Sequence, residues 1–339
     1  MGLPEGCKVN LRTKFPKGKK NLITDVPGVK VGHVTLKDEE RNIHTGVTAI
    51  LPHGGNLFQQ KVTAGTCVIN GFGKSTGLLQ IDELGTIETP LLMTNTLSVG
   101  TALSALSKYM LEHNQDIGVS TGTVNCVVTE CNDGELNDIR GYHIQECHVL
   151  QALTQAGENF EEGDRGAGTG MCCMGLKGGI GSASRIVNCN GEDYTLGVLL
   201  MSNFGVQGNL RIDGELMEMP TDNKPENGSV IVVIGTDIPL SDRQLKRVAK
   251  RAVVGLARVG SFLGNGSGDI AIAFSNSNIV PHYSEEDILT TRMFHDNALD
   301  KVFEAAAEAV EEAVISSLYH AGTVKGIRGK IVRGLCEYL

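Results

Sequence analysis

The sequence contains no tryptophan, and aromatic residues make up only 4% of its 339 residues. Basic residues are not in surplus either: 30 lysines and arginines face 39 aspartates and glutamates, which leaves a net charge of −9. Because phosphate backbones are bound by net basic surfaces, this balance argues against a nucleic-acid partner. The apolar runs, such as Leu196–Met201, are far shorter than the roughly 20 residues that a membrane helix needs. The composition therefore predicts a soluble globular protein without a membrane span.

No secretory signal is visible, because the segment Met1–Lys20 carries lysine and arginine but no apolar stretch. The nine cysteines are odd in number and follow no regular spacing. In a chain of this length without a signal, such cysteines indicate reduced thiols. The sequence therefore predicts a cytoplasmic protein.

Glycine is abundant: 43 of the 339 residues are glycine, nearly twice the usual share of about 7%. Without low complexity, so much glycine indicates tight turns and places where the backbone closely approaches another backbone or a ligand. The densest stretch, residues 163–181, lacks the G-x-G-x-x-G pattern of a dinucleotide loop. It predicts close backbone packing, of the kind found at the wall of a site.

Short β-rich segments bounded by Gly, Asn and Asp alternate in blocks with helical patterns. The predicted helices are one that begins at the capping box Ser241-Asp-Arg-Gln244, and three over residues 98–112, 143–156 and 297–319. No linker or repeat divides the chain, which predicts a single α+β domain over residues 1–339 with packed sheets covered by helices. The predicted strands are Val47–Leu51, Thr66–Ile69, Val124–Thr129, Leu196–Met201, Val230–Ile234 and Ile270–Phe274.

Gly228-Ser229 is the first candidate for chemistry, at the junction of the polar loop 221–228 and the strand Val230–Ile234. A serine needs a base before it can attack a carbonyl. If the peptide bond before Ser229 is cut, the new α-amine, with an ordinary pKa of about 7.7–8, can be that base. Glycine at 228 permits the strained backbone that an attack by Ser229 Oγ on the Gly228 carbonyl requires. From spacing alone, an Asn-Gly hairpin turn is the more frequent alternative.

Two further polar segments could complete such a site. Ser267 and Asp269, in Gly264-Asn-Gly-Ser-Gly-Asp269, point the same way if the segment is extended and could act as one polar unit. Asn203 ends the strand Leu196–Met201, where its amide could donate a hydrogen bond to a developing oxyanion. Ordinary turns are the alternative at both places.

Two other constellations are weaker. Gly71-Phe-Gly-Lys-Ser75 resembles a phosphate-binding loop, but the required first glycine is missing because position 68 is valine. A zinc site could be built from Cys and His residues, but no C-x-x-C pair supports it, and buried thiols with surface histidines are the favoured explanation. The residues concerned are Cys126, Cys131, His143, Cys147 and His148.

Several motifs occur together in a fixed order over nearly the whole chain. They resemble the L-aminopeptidase/D-esterase family, which includes the β-peptidyl aminopeptidases. The motifs are Asn21-Leu-Ile-Thr-Asp-Val-Pro-Gly-Val-Lys-Val-Gly-His33, Thr94-Asn-Thr-Leu-Ser-Val-Gly-Thr101, Gly168-Thr-Gly-Met with Lys177-Gly-Gly-Ile-Gly-Ser-Ala-Ser184, Ser202-Asn-Phe-Gly205 and Asn227-Gly-Ser229.

This resemblance implies an αββα sandwich, of the kind shared with ornithine acetyltransferases and similar to the N-terminal-nucleophile hydrolases. It implies a serine aminopeptidase that cuts itself into an α chain of residues 1–228 and a β chain of residues 229–339. The two chains stay together, usually as a homotetramer of αβ units. The implied substrates are small peptides, amides or esters with a free N-terminus, built from L-, D- or β-amino acids. No metal or cofactor is implied.

The resemblance also implies roles for single residues. Ser229 matches the nucleophile, and Ser267 with Asp269 matches the pair that orients and activates it, although the family often has glutamate where Asp269 stands. Asn203 matches the asparagine of the oxyanion hole, and Glu130 matches the carboxylate that binds the amino group of the substrate.

One position departs from the family pattern. A tyrosine that assists the oxyanion is common near position 132, where this chain has Asn132. The nearby Glu135 is then a candidate for shaping specificity. Two other functions stay open: an acyltransferase on the same scaffold, although ornithine acetyltransferases use a threonine nucleophile, and a non-catalytic metal-binding protein.

Overall fold

The computed structural model describes residues 11–221 and 226–339. The helices are α1 (Leu78–Leu84), α2 (Val99–His113), α3 (Glu146–Thr154), α4 (Asp242–Ala249), α5 (Ala252–Arg258) and α6 (Leu299–Tyr319). The strands are β1 (Lys30–Asp38), β2 (Ile43–Leu51), β3 (Gln60–Gly71), β4 (Thr86–Ile87), β5 (Leu91–Asn95), β6 (Val127–Cys131), β7 (Cys172–Cys173), β8 (Leu176–Lys177), β9 (Gly179–Cys189), β10 (Glu192–Asn203), β11 (Arg211–Ile212), β12 (Glu215–Leu216), β13 (Ser229–Thr236), β14 (Gly268–Pro281), β15 (Val324–Lys325) and β16 (Ile331–Val332).

Two β-sheets contain the longer strands. One sheet has the order β1-β2-β5-β6, and the other has the order β4-β3-β14-β13-β10-β9. Neighbouring strands are antiparallel except for the parallel pairs β5–β6 and β13–β14. Parallel neighbours need a crossover connection, which α2 supplies in the first sheet and α4 with α5 in the second. The crossover after β13 returns the chain to the same sheet edge at which β13 began.

Three apolar layers hold the sheets and helices together. Met93 of one sheet and Val233 of the other pack in the layer between the sheets. Leu106 of α2 belongs to the layer outside the four-stranded sheet, and Val310 of α6 to the layer outside the six-stranded sheet. Because both faces of β13 are covered, all its residues are buried, which explains its unbroken apolar sequence. The layer order is helix, sheet, sheet, helix, as the family resemblance implied.

The predicted elements differ from the observed ones mainly at their ends. The helix predicted from the Ser241 capping box is two helices, because α4 ends at Ala249 and α5 begins at Ala252. Between them the backbone tightens, and Arg251 N donates to Val248 O at 2.8 Å. The apolar periodicity continues through this turn, so the pattern predicted a single helix. Within the described ranges, no helix combines the length and the apolar character that crossing a membrane requires.

The state of the cysteines partly corrects the prediction. One described cysteine, Cys336, is disulfide-bonded, so the expectation of reduced thiols is wrong at this residue. Cys7 lies outside the described residues. The free thiols are Cys67, Cys126, Cys131, Cys147, Cys172, Cys173 and Cys189.

Candidate active site

Ser229 is the first residue of β13, in the interior of the six-stranded sheet. It lies opposite Asn203, the last residue of the antiparallel strand β10. On its other side it lies opposite Gly268, the first residue of the parallel strand β14. Three strand ends therefore meet at one edge of the sheet, with the Ser229 side chain almost fully buried between them.

Ser267 and Asp269 flank Gly268 and form the polar unit that the sequence predicts. Ser267 Oγ donates a hydrogen bond to Asp269 Oδ1 at 2.6 Å, and neither side chain is exposed. Burial raises the pKa of Asp269 to about 6, and the negative charge of Glu226 adds to the rise. With a pKa of about 6, the Asp269 carboxyl is ionised near neutral pH and accepts this hydrogen bond. The carboxylate can then accept a proton from Ser267.

Cys131, which ends β6 in the other sheet, contacts the nucleophile candidate from the opposite side. Its buried thiol donates a hydrogen bond to Met201 O at 3.8 Å and interacts with the Ser229 side chain, and burial raises the pKa of Cys131. The thiol therefore stays neutral and packs as a small apolar group. The sequence analysis considered Cys131 only as a zinc ligand and did not place it here.

The Asn203 amide is held on both sides by backbone groups. Its Oδ1 accepts a hydrogen bond from Cys172 N at 2.9 Å, and its Nδ2 donates to Asn132 O at 3.1 Å. These contacts fix which end of the amide points in which direction. A donor oriented before the reaction is the arrangement that stabilises a developing oxyanion most effectively.

Gly228 carries the carbonyl at the expected cleavage point. Gly228 O accepts a hydrogen bond from Gly268 N at 3.1 Å, which polarises the carbonyl. Glycine is required here by close packing, since a Cβ on Gly228 would lie 2.4 Å from Asn203 O and 2.7 Å from Phe204 Cα. The backbone at Gly228 does not adopt a positive φ, so the strained conformation expected from the sequence is not its reason for being glycine.

Glu130 lies at the end of β6, and its side chain is almost fully buried. Its Oε1 accepts a hydrogen bond from Lys74 N at 2.8 Å, and its Oε2 accepts one from the hydroxyl of Thr96. Gly73 lies between Glu130 and the first residue of β14, since a Cβ on Gly73 would be 3.5 Å from Glu130 Oε1 and 3.9 Å from Gly268 Cα. Glu130 is therefore close to the strand ends at which Ser229 lies. It forms no ion pair within the described ranges, which leaves the carboxylate able to pair with a cation.

A cavity of about 720 Å³ opens beside the expected cleavage point. Asn132, Glu135, Asn203 and Gly228 are among its lining residues. The Glu135 carboxylate pairs with Lys330 Nζ across the cavity lining. The structure thus gathers the sequence-predicted residues around one place, with Ser267 and Asp269 buried beneath it.

The weaker constellations do not form sites. Among the described residues, no three His, Cys, Asp or Glu side chains are grouped so that they could hold a metal ion. Cys126 instead contacts Ser107, and His143 and His148 line a separate surface depression. In the segment that resembles a phosphate-binding loop, the backbone N–H of Lys74 donates to Glu130 Oε1, so it does not point at a phosphate site.

Lys177 supports the site and was not singled out by the sequence analysis. It is fully buried, and its Nζ donates to Gly168 O at 3.0 Å, Met171 O at 2.9 Å and Gly178 O at 2.6 Å. Burial lowers the pKa of Lys177 to about 8. The glycine-rich segment that it holds supplies the Cys172 N–H to Asn203. The sequence signals for this role were a lysine within a glycine-rich segment and its place at the start of the motif Lys177–Ser184.

The chain is similar to known peptidases. The chain matches peptidase family S58 over residues 21–332. It is 37% identical to the β-peptidyl aminopeptidase BapA of Sphingosinicella microcystinivorans, over 94% of this chain and 86% of that protein.

Solved structures also match nearly the whole chain. The PH0078 protein from Pyrococcus horikoshii OT3 superposes with a TM-score of 0.91 and 51% identity, over 97% of this chain and 94% of the other. The L-aminopeptidase D-Ala-esterase/amidase from Ochrobactrum anthropi, a prototype for the serine aminopeptidases with a variant of the Ntn hydrolase fold, superposes with a TM-score of 0.89 and 37% identity. That match covers 96% of this chain and 93% of the other.

These matches confirm the family, the mixed α+β fold and the class of enzyme that the sequence predicts, a serine aminopeptidase hydrolase. Because the match extends over residues 21–332 and the relatives align with nearly the whole chain, the protein belongs to peptidase family S58.

Proposed function

We propose that this peptidase activates itself by cutting the Gly228–Ser229 bond and then releases N-terminal amino acids from peptides, amides and esters. The observation that carries the proposal is the position of Ser229, between Asn203 on β10 and the Ser267–Asp269 pair beside β14. A nucleophile, an oxyanion donor and a proton acceptor are the three parts that acyl transfer to serine needs.

Self-cleavage begins with attack by Ser229 Oγ on the carbonyl carbon of Gly228. The hydrogen bond from Gly268 N polarises this carbonyl. The Oγ proton moves toward Ser267 and Asp269, the C–N bond breaks, and the departing nitrogen takes up a proton to become the α-amine of Ser229. Water then hydrolyses the ester, which leaves a carboxylate on Gly228 and restores the Ser229 hydroxyl.

The mature enzyme repeats this chemistry on a substrate. Ser229 Oγ attacks the carbonyl after the first residue of the substrate, while the Ser229 amine, together with Ser267 and Asp269, handles the proton. Asn203 Nδ2 donates to the oxyanion. Water then hydrolyses the acyl-enzyme, and no step uses a metal or a cofactor.

Substrate selection rests on Glu130 and on the cavity. The buried carboxylate of Glu130 pairs with the substrate ammonium, so the enzyme acts on free N-termini. Asn132 and Glu135 line the cavity, which supports a role for both in binding the substrate. The aminopeptidases among the relatives include one named for β-peptides, which supports β-amino acids within the substrate range. We further propose a cytoplasmic homotetramer of αβ units, in keeping with the family resemblance.

An intact-mass spectrum of the purified, denatured protein tests the proposal directly. We expect two species that meet between Gly228 and Ser229, and a single species for Ser229→Ala. A wild-type chain that stays whole on incubation would refute self-activation. Cleavage of the Ser229→Ala protein at the same bond would refute Ser229 as the nucleophile.

A further inference from the structure

Glu226 is a buried carboxylate just upstream of the Gly228–Ser229 bond. Only 6% of the residue is exposed. Its Oε1 accepts a hydrogen bond from Gly205 N at 2.9 Å, and its Oε2 accepts one from Gly264 N at 2.8 Å. Both carboxylate oxygens are therefore bound to backbone, and each is bound to a different loop.

The two loops belong to the two halves of the catalytic apparatus. Gly205 follows Asn203, the oxyanion donor, at the end of β10. Gly264 precedes Ser267, the hydroxyl of the proton-accepting pair. The Glu226 side chain therefore connects the segment before the proposed cleavage point to both of these loops.

The packing around these contacts leaves little freedom. A Cβ on Gly264 would lie 2.6 Å from Glu226 Cβ and 2.8 Å from its Oε2, so the loop backbone lies directly on the carboxylate. Gly205 adopts a φ of +87°, a conformation that glycine accepts without strain. The backbone N–H groups are thereby aimed at Glu226.

Glu226 also contributes charge to the site. Besides burial, the groups that act most strongly on Asp269 are the side chain of Ser267, the Glu226 carboxylate, the side chain of Asn70 and the backbone of Val230. Cys131 approaches from the opposite sheet as a neutral thiol. The carboxylates near Asp269 are Glu226 and, beyond Gly73, Glu130. Glu226 has the largest charge effect on Asp269, so its removal changes the electrostatics of the proton acceptor.

We propose that Glu226 is a positioning residue for self-cleavage, which holds the Gly228 carbonyl between Asn203 and the Ser267–Asp269 pair. The proposal rests on the proposed self-activation. After the cut, the same two hydrogen bonds keep the new C-terminus of the α chain beside the cavity that it lines.

Two variants separate geometry from charge. Glu226→Gln keeps the length of the side chain but loses the charge and one of the two acceptors. Glu226→Asp keeps the charge but cannot reach both backbone N–H groups. Each protein is made by cell-free translation, and the appearance of the two chains is followed by mass spectrometry over a series of pH values.

For Glu226→Gln we expect the rate of self-cleavage to fall on the order of 100-fold, because small misplacements of reacting groups have effects of that size. We also expect the acidic limb of its pH–rate profile to move to lower pH. For Glu226→Asp we expect slower cleavage with the limb where it is in the wild type. Glu162→Gln is the matched control, because Glu162 is a largely buried carboxylate that also accepts a backbone N–H, from Ser182 at 2.6 Å. It should cleave like the wild type.

Circular dichroism of each variant establishes that it is folded, and if Glu226→Gln does not fold, Glu226→Asp decides. Wild-type rates in both variants overturn the proposal. A slower Glu226→Gln protein with an unshifted pH profile also overturns it, because that result indicates a structural role only. A wild-type chain that never cleaves refutes self-activation instead, so the two failures are distinguishable.

Discussion

Asn203 and Ser229 face each other as the terminal residues of two antiparallel strands, although the segment 204–228 separates them in the chain. The strand pairing places the Asn203 amide, the proposed oxyanion donor, beside Ser229, the proposed nucleophile. It also places the carbonyl of Gly228, directly before Ser229, against the backbone of Asn203. The bond at which we propose self-cleavage is therefore held by the sheet.

The pH dependence of self-cleavage follows from Asp269. Its pKa is raised to about 6, so it loses its charge below that pH and can no longer accept the proton from Ser267. We expect the rate to be constant above about pH 6 and to fall as the pH drops through it. Time courses of chain separation at several pH values measure this. A rate independent of pH between about 5 and 7 would contradict it.

Protonation of Asp269, which should slow cleavage, should stabilise the folded chain. Its pKa in the folded state lies above the ordinary value of about 3.9, so the folded chain holds this proton more tightly than the unfolded chain. The contribution to stability is present at low pH and is lost as the pH rises through about 6. Asp269→Asn should therefore raise the free energy of unfolding at neutral pH while it blocks cleavage. Urea unfolding of Asp269→Asn in the Ser229→Ala background measures this, with Ser229→Ala alone as the control.

Asn203→Ala should lower kcat by roughly 100- to 1,000-fold, because it removes an oriented oxyanion donor. Assays with amino-acid anilides should show a smaller change in KM. Asn188→Ala is the control, because the exposed Asn188 side chain binds Asp193 beside the turn between β9 and β10. Asn132→Ala, which removes a side chain of the proposed substrate cavity, is measured beside it. An equal loss in Asn132→Ala would show instead that its side chain takes the place of the family tyrosine.

Glu130→Gln should weaken the preference for free N-termini. The loss of a charge-assisted hydrogen bond of about 1.5–3 kcal/mol corresponds to a decrease in kcat/KM of roughly 10- to 100-fold. The decrease should appear for substrates with a free ammonium and be absent for N-acetylated ones. Comparison of the two substrate classes in both proteins tests this. An unchanged ratio would exclude Glu130 as the ammonium site.

Lys177→Met should destabilise the protein by about 3 kcal/mol, because the carbonyls of Gly168, Met171 and Gly178 lose their donor in the interior. Urea unfolding in the Ser229→Ala background gives the value. The control is Lys37→Met, which removes only a partly exposed ion pair with Asp164 and should cost at most about 1 kcal/mol. Equal losses in the two variants would contradict a special role for Lys177.

Much of the fold could be predicted from periodicity. The apolar run Val230–Ile234 lies within β13, and the stripe over residues 297–319 corresponds closely to α6. Element ends were less predictable, as the break between α4 and α5 shows. The apolar pattern indicates which face of a helix is buried. Because the same face stays buried on both sides of the turn between α4 and α5, the pattern does not reveal the break.

The site residues were predicted by motif and resemblance, and their roles stay proposals until the variants are measured. The structure shows that Ser229, Asn203, Ser267 and Asp269 meet at one sheet edge. It also corrects the reason given for glycine at 228, which is close packing rather than a special φ.

The sequence alone determined the residue types and the local pattern: a glycine before a serine at the start of a buried strand, and an acid two residues beyond a second serine. Those features are local, because they depend on neighbours in the chain. The tertiary structure decided which distant groups meet them, namely the Cys131 thiol against Ser229, the Glu226 carboxylate between two loops, and the Lys177 ammonium beneath the Asn203 support. Strand order and register set these contacts, and register depends on how all the layers pack together.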